Sequence, residues 1–254
     1  MRLKIIQKML YILLIYLLIG SILFFYQRKL IYFPSPIIPH LYEKRQLSHN
    51  NIKLNVIVLN KGKKEAIIYF GGNAEAVVYN AQHFLDIFSD YTVYLINYRG
   101  YGGSSGQPNE KGFFSDAIFI FDKVLIEHSN ISVIGRSLGT GVATYLASKR
   151  SVKKLVLITP FDSVTSLAQR KFMIFPVFLM LLDKYDSMIR VKDIKSEVKV
   201  ILADNDEVIS KFHSQRLIDE FPLHQISVNI IYDSGHNDIS EKDKYYQILK
   251  DFFL

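Results

Sequence analysis

At 254 residues the chain has room for one α/β domain with a sizeable core. It contains no cysteine, which excludes disulfides, thiolate catalysis and cysteine metal sites. The net charge of +7 would suggest nucleic acid, but Arg2, Lys4, Lys8, Arg28 and Lys29 supply five of those charges near the N-terminus, so no nucleic-acid signal remains.

A short basic tail (1–8) leads into residues 9–26, an uncharged run reading M-L-Y-I-L-L-I-Y-L-L-I-G-S-I-L-F-F-Y. As a helix it would be about 27 Å long at ~1.5 Å per residue, enough for a bilayer core. A cleaved signal peptide would end in an A-x-A-like site, and Leu23-Phe24-Phe25-Tyr26 offers none. Apolar residues all round the run argue against a core helix, so the expectation is an uncleaved, single-pass membrane anchor. Arg2, Lys4 and Lys8 nearly balance Arg28, Lys29, Lys44 and Arg45 across it. Short N-terminal tails tend to stay inside, which would leave the domain extracytoplasmic. Residues 27–50 read as a connector in which Pro34, Pro36 and Pro39 disfavour helix. Tyr32 and Phe33 within it would sit at the membrane interface or pack on the domain.

The remaining residues, 51–254, alternate in pattern. Strands are predicted at 52–59, 65–70, 92–96, 131–134, 154–158, 198–203 and 226–232, with helices at 75–88, 113–126, 139–149, 209–221 and 242–253. That rhythm implies a mostly parallel central sheet with helices on both faces, and a site beyond the carboxyl ends of the strands. A possible small cap, 162–195, interrupts it. Within it residues 172–182 (F-M-I-F-P-V-F-L-M-L-L) are nearly all apolar. They read either as a helix packed on the core or as a cap that lines an acyl-chain pocket or touches the membrane.

Between the strand at 131–134 and the helix at 139–149 stands G-R-S-L-G, centred on Ser137. This is a G-x-S-x-G nucleophile elbow in strand–turn–helix context. Gly135 and Gly139 are expected to clear space around the serine, and the Leu138 amide can face an oxyanion. A serine hydroxyl needs a base, and the base an acid to orient it. His213, His224 and His236 follow Ser137. His213 lies in a predicted helix and His224 in a helix-to-strand loop, whereas His236 directly follows the last predicted strand and is the expected base. The acid should follow the strand at 198–203, where Asp204, Asp206 and Glu207 are all available. Asp206 fits a D-x-x-V/I-like spacing into the next helix, although these acids could also cap that helix. Asp162, one strand earlier, is a further competitor. The loop after the strand at 65–70 would supply a second oxyanion donor, the Asn73 amide, although Gly71 and Gly72 would equally serve a tight turn. The histidines are scattered and form no helical H-x-x-x-H pair, so no metal or cofactor is expected.

Six segments together carry a resemblance: Gly71-Gly72-Asn73-Ala74-Glu75, Asn97-Tyr98-Arg99-Gly100-Tyr101-Gly102-Gly103-Ser104-Ser105-Gly106, Gly135-Arg136-Ser137-Leu138-Gly139, Thr159-Pro160-Phe161-Asp162-Ser163, Asp206-Glu207-Val208-Ile209 and Gly235-His236. The chain resembles the α/β-hydrolase superfamily and, more narrowly, its membrane-anchored serine hydrolases related to protein depalmitoylases and lysophospholipid lipases. The resemblance implies an α/β-hydrolase fold behind a transmembrane helix. It also implies Ser137 as nucleophile, Asp206 as acid, His236 as base and the Asn73 and Leu138 amides as oxyanion donors. The loop at 98–106 would be structural, anchored by Arg99. One departure is Gly71-Gly72, where many relatives carry His-Gly. The expected activity is hydrolysis of ester or thioester bonds in lipid-like or acylated substrates through an acyl-enzyme, with the membrane as the other partner and no nucleic acid. A peptidase, a small-ester carboxylesterase and a non-catalytic membrane scaffold are the rival readings. Loss of the serine, acid or histidine would support the scaffold, and all three are present.

Overall fold

Short β-branched and aromatic runs, each bounded by turn residues, become strands here because their side chains fill two packed faces at once. In the computed structural model, which describes residues 2–254, seven such runs and one polar edge strand build a sheet of eight strands among the described residues. The strands are β1 (Glu43–His49), β2 (Ile52–Leu59), β3 (Glu65–Phe70), β4 (Tyr91–Ile96), β5 (Asn130–Arg136), β6 (Lys154–Ile158), β7 (Glu197–Ala203) and β8 (Ile226–Ile231). Their order is β1-β2-β4-β3-β5-β6-β7-β8, with β2 antiparallel to both neighbours and β3 to β8 parallel. This is the mixed, mostly parallel sheet of an α/β-hydrolase fold.

The sheet begins earlier than the hydrophobic pattern suggests. Residues 43–49, assigned to the connector on sequence, form the edge strand β1. It pairs with β2 through a two-residue hairpin at Asn50 and Asn51, both at positive φ (49° and 62°), a geometry asparagine tolerates and a twisted hairpin favours. With no buried residue, β1 lacks the apolar signal that betrays the other strands.

Alternation along the strands splits the core between the two faces. Ile68 and Val133 point to one face with Phe113, Phe121, Val142 and Leu146. Ile67, Tyr69 and Ile134 point to the other with Phe84, Phe88, Leu249 and Phe252. The helices that cover these faces are α2 (Ala81–Ile87), α3 (Glu110–Leu125), α4 (Leu138–Lys149), α7 (Lys211–Ile218) and α8 (Asp243–Phe253). The helix expected at 75–88 is shorter, with a 3-10 turn at Val77–Asn80 ahead of α2. Arg99 does anchor the 98–106 loop, since its guanidinium forks onto both Asp116 oxygens at 2.7 Å.

At the N-terminus α1 (Arg2–Ile31) runs well beyond the predicted span at both ends, because Lys, Arg and Gln extend a helix readily. It is the one helix among the described residues long and apolar enough to cross a membrane. Tyr32, just beyond it, packs on the domain, buried with its hydroxyl 2.9 Å from that of Tyr185, while Phe33 is exposed. The segment at 162–195 holds α5 (Val164–Lys171), the single turn α6 (Val177–Met180) and a 3-10 stretch at Met188–Asp193. A helix at 172–182 packed on the core is therefore not what forms.

Candidate active site

The strand β5 ends at Arg136 and α4 starts at Leu138, so one residue must turn the chain. That residue, Ser137, sits at φ 48°, ψ −118°, outside the regions L-residues prefer, at a cost of about 1–3 kcal/mol. The flanking glycines make room for backbone more than for the serine side chain. A Cβ on Gly139 would lie 2.1 Å from the Phe70 carbonyl oxygen, and one on Gly135 2.5 Å from the Gly139 carbonyl oxygen. They let α4 press onto the ends of β3 and β5, which holds the serine up at the carboxyl edge of the sheet.

His236 arrives on the loop after β8. Its Nε2 lies 2.8 Å from Ser137 Oγ, and its Nδ1 lies 2.8 Å from Asp206 Oδ2. A carboxylate can only accept, so Nδ1 carries the proton, leaving the Nε2 lone pair for the serine O–H. The His236 and Asp206 side chains are nearly buried, 7% and 8% exposed, which keeps water from competing for these bonds.

The three acids after β7 divide the work of holding this loop. Asp206 turns one oxygen to His236 and accepts with the other from the Val208 and Ile209 amides at 2.9 and 2.7 Å. Holding His236 and capping a turn are thus done by one carboxylate. Glu207 accepts from the His236 backbone amide at 3.0 Å, and Asp204 from that of Ser234 at 3.1 Å. Asp162 lies elsewhere in the network. Fully buried, it accepts from the Ser163 amide and Arg216 and pairs with His213 Nδ1 at 3.0 Å. His213 is accordingly Asp162's partner, while no bond joins either residue to Ser137.

The loop after β3 lies against the serine, since a Cβ on Gly72 would sit 3.6 Å from Ser137 Cβ. Here two hydrogen bonds hold the chain. Tyr98 Oη donates to the Gly71 carbonyl at 2.8 Å, and the Gly72 amide donates to Glu75 Oε2 at 2.6 Å. The Asn73 side chain donates to the Ile31 carbonyl at 2.6 Å and accepts from the Phe33 amide and the Tyr101 hydroxyl. Among the described residues neither the Asn73 nor the Leu138 backbone amide has an acceptor. Nor does any group of three or more His, Asp and Glu side chains there stand ready to hold a metal ion.

Arg136, the second residue of G-R-S-L-G, ties these two loops together. Its guanidinium donates to the His236 and Asn237 carbonyls at 3.3 and 3.0 Å and faces Glu75 at 3.8 Å. Burial opposes its charge most strongly, but Glu75, Tyr69 and Tyr245 together outweigh that, and its pKa stands above the ordinary arginine value.

Residues 65–192, about half of the chain, match the alpha/beta hydrolase fold family. Protein Rv2307c of Mycobacterium tuberculosis is 30% identical over 241 residues, covering 86% of this chain and 84% of that one. The chain belongs to the α/β-hydrolase fold family. Alpha/beta hydrolase domain-containing protein 17B of Homo sapiens is 25% identical over 214 residues, covering 80% of this α/β hydrolase and 71% of the human chain. The solved Pyrococcus furiosus esterase Pf2001 superposes with a TM-score of 0.65 at 17% identity, over 87% of this chain and 97% of that one. At that identity the likeness is one of fold. These likenesses reach the family and stop short of the narrower kinship with depalmitoylases and lysophospholipid lipases.

Within this α/β hydrolase the Asp206–His236 pair has the form that serine-hydrolase chemistry uses. Sequence reasoning missed the contacts by which Arg136 and Glu75 hold these loops, and named Glu207 only as a candidate acid, not as the acceptor for the His236 amide. The available signal was a charged residue at the inner end of a buried strand, which demands a partner. Arg136→Met is expected to lower kcat by about 100-fold, the scale of a 1 Å misplacement of the base, with KM changed far less. It should also lower the denaturation midpoint, because Glu75 is left buried without its cation. Arg136→Lys keeps the charge but lacks the fork, so it should recover stability more fully than kcat. Steady-state kinetics beside urea melts would separate the two effects.

Proposed function

We propose that this α/β hydrolase is a membrane-anchored serine hydrolase cleaving carboxylic ester or thioester bonds in lipid-like or acylated substrates. The observation that carries the reading is the continuous chain Ser137–His236–Asp206, with both links at 2.8 Å. Ser137 Oγ attacks the acyl carbonyl while its proton passes to His236 Nε2. The carbonyl oxygen gains the charge, and the Asn73 and Leu138 amides donate to it, each worth about 2.7–4 kcal/mol in such sites. Collapse expels the alcohol or thiol, which takes the proton from His236 and leaves an acyl-Ser137 ester. Water then gives a proton to His236 as it attacks, and a second collapse frees the acid and reprotonates Ser137. Asp206 stabilises the imidazolium in both halves.

The lipid-like substrate class is supported by where the site lies. Asn73, in the oxyanion loop, grips the backbone of residues 31 and 33, where the long apolar helix ends. A bilayer-spanning α1 would therefore hold the site close to acylated material.

The test is labelling of the detergent-solubilised chain with a fluorophosphonate serine probe, beside Ser137→Ala. Labelling of wild type and its loss in the variant is the expected result. Equal labelling of Ser137→Ala would overturn the nucleophile. A folded wild type that stays unlabelled would overturn the activated serine altogether. An acyl-ester panel then tests the substrate class, which fails if short acyl chains are preferred.

A further inference from the structure

The loop at 172–182 has eleven consecutive uncharged residues, with Arg170-Lys171 before it and Asp183-Lys184 after it. Phe175, Val177 and Leu181 point inward, but Met173, Ile174, Phe178, Leu179 and Leu182 are between 55% and 79% exposed. Water-soluble surfaces scatter such side chains singly; five in one loop need an apolar neighbour.

The loop also runs alongside α1. Asp183 pairs with Arg28 at 2.9 Å. Next, Gln27 donates to the Met180 carbonyl at 3.2 Å and accepts from the Leu182 amide at 2.7 Å. Lower still, the Phe175 and Met180 side chains approach Gly20. At the far end Tyr16 stacks on Phe175, with centroids 4.7 Å apart, and donates to the Ile174 carbonyl at 2.9 Å. From Arg28 down to Tyr16 is about 18 Å at ~1.5 Å per residue, more than half of a hydrocarbon core of roughly 30 Å.

Part of the loop's backbone is satisfied by protein groups, while the Met173, Ile174 and Phe178 amides have no acceptor among the described residues. Gln169 donates to the Phe175 carbonyl and accepts from the Val177 amide, both at 3.0 Å, and Pro176 brings no amide at all. The Leu179 and Leu181 amides donate to Pro176 and Val177. Non-helical backbone at membrane depth is tolerated where protein groups satisfy it, and these contacts supply part of that provision.

We propose that residues 172–182 enter the bilayer leaflet nearest the domain beside α1, as a second, non-spanning membrane element whose exposed apolar face is covered by lipid acyl chains. This rests on reading α1 as an anchor. The domain is then clamped to the membrane at two places, and the oxyanion loop, bound to residues 31 and 33, is held at a constant height above the leaflet.

The cysteine-free chain makes the test direct. Single-cysteine variants Ile174→Cys and Leu179→Cys, with Leu18→Cys on α1 and Ile126→Cys ahead of β5 as references, are labelled with the fluorophore NBD. Each full chain is reconstituted in phosphatidylcholine vesicles containing nitroxide-labelled acyl chains. All four positions are exposed, so substitution there should leave the fold and its melting temperature intact. The expected result is emission lost at 174 and 179 as it is at 18, and retained at 126. Quenching at 18 with none at 174 and 179 would overturn the proposal and leave the anchor standing. No quenching at 18 would remove the anchor reading and the proposal with it. Loop labels shielded from water yet unquenched would put a second copy of the chain on this face, which also overturns it.

Discussion

Asp206→Asn should lower kcat on an acyl ester by about four orders of magnitude with little change in thermal midpoint. The amide keeps an oxygen for the Val208 and Ile209 amides that Asp206 Oδ1 now serves at 2.9 and 2.7 Å, so the turn survives. What changes is the atom facing His236 Nδ1, at present a carboxylate oxygen 2.8 Å away. An NH₂ there can only donate, which forces the imidazole proton to Nε2, where it faces Ser137 and can no longer accept. The neighbouring acids provide the contrast. Glu207→Gln retains an acceptor for the His236 amide and should cost far less, and Asp204→Asn less again because Asp204 is exposed. Asp162→Asn should act on stability instead, since it weakens a buried carboxylate shared by His213 and Arg216. The measurement is kcat for the four variants beside their melting temperatures. An Asp206→Asn enzyme keeping a tenth of wild-type kcat, with Asp162→Asn the inactive one, would move the acid one strand earlier.

The parts of the site legible in the sequence were those attached to strand ends. Ser137 and His236 follow β-branched runs, buried in β5 and half-buried in β8, and in a parallel sheet the carboxyl ends of such runs converge. Asp206 was distinguishable from Asp204 and Glu207 by spacing alone, and the structure gives each acid a separate partner on the histidine loop. What was not legible depends on distance in sequence. Nothing near Arg136 announces that its guanidinium reaches the backbone of His236 and Asn237, or that Glu75 in the β3 loop faces it. The edge strand β1 escaped for a different reason, because a strand with no buried residue has no alternation to read. The segment at 172–182 was ambiguous for the opposite reason. Its apolar run left a core helix and a cap touching the membrane equally open; only Val177–Met180 is helical, and the apolar surplus faces outward beside α1. An apolar run reports a need for an apolar neighbour, and composition cannot say whether that neighbour is the core or a membrane.

Gly139→Ala should be the most destabilising single-methyl change at the site, by about 3 kcal/mol or more, the upper end for overpacking. Taken alone, Ala in a helix interior gains about 1 kcal/mol over Gly. Here its Cβ would meet the Phe70 and Gly71 carbonyl oxygens at 2.1 and 2.7 Å. Both are backbone atoms at the end of β3, so no side-chain rotation relieves the contact, and α4 must move off the sheet. Leu138 and its amide move with it, as does the β3 loop that carries Asn73. Two other glycines calibrate the effect. Gly62 has φ 92° but open space around it, so Gly62→Ala should cost only local strain, about 1 kcal/mol. A Cβ on Gly141 would lie 2.9 and 3.3 Å from the Tyr185 and Phe161 rings, side chains rather than backbone, so Gly141→Ala should fall between. Urea midpoints at unchanged slope would rank the three. Fluorophosphonate labelling of whatever remains folded should be lost in Gly139→Ala and kept in Gly62→Ala. A Gly139→Ala protein as stable and as readily labelled as Gly62→Ala would mean that the helix is not pressed onto the strand ends, and that something other than this contact raises the serine.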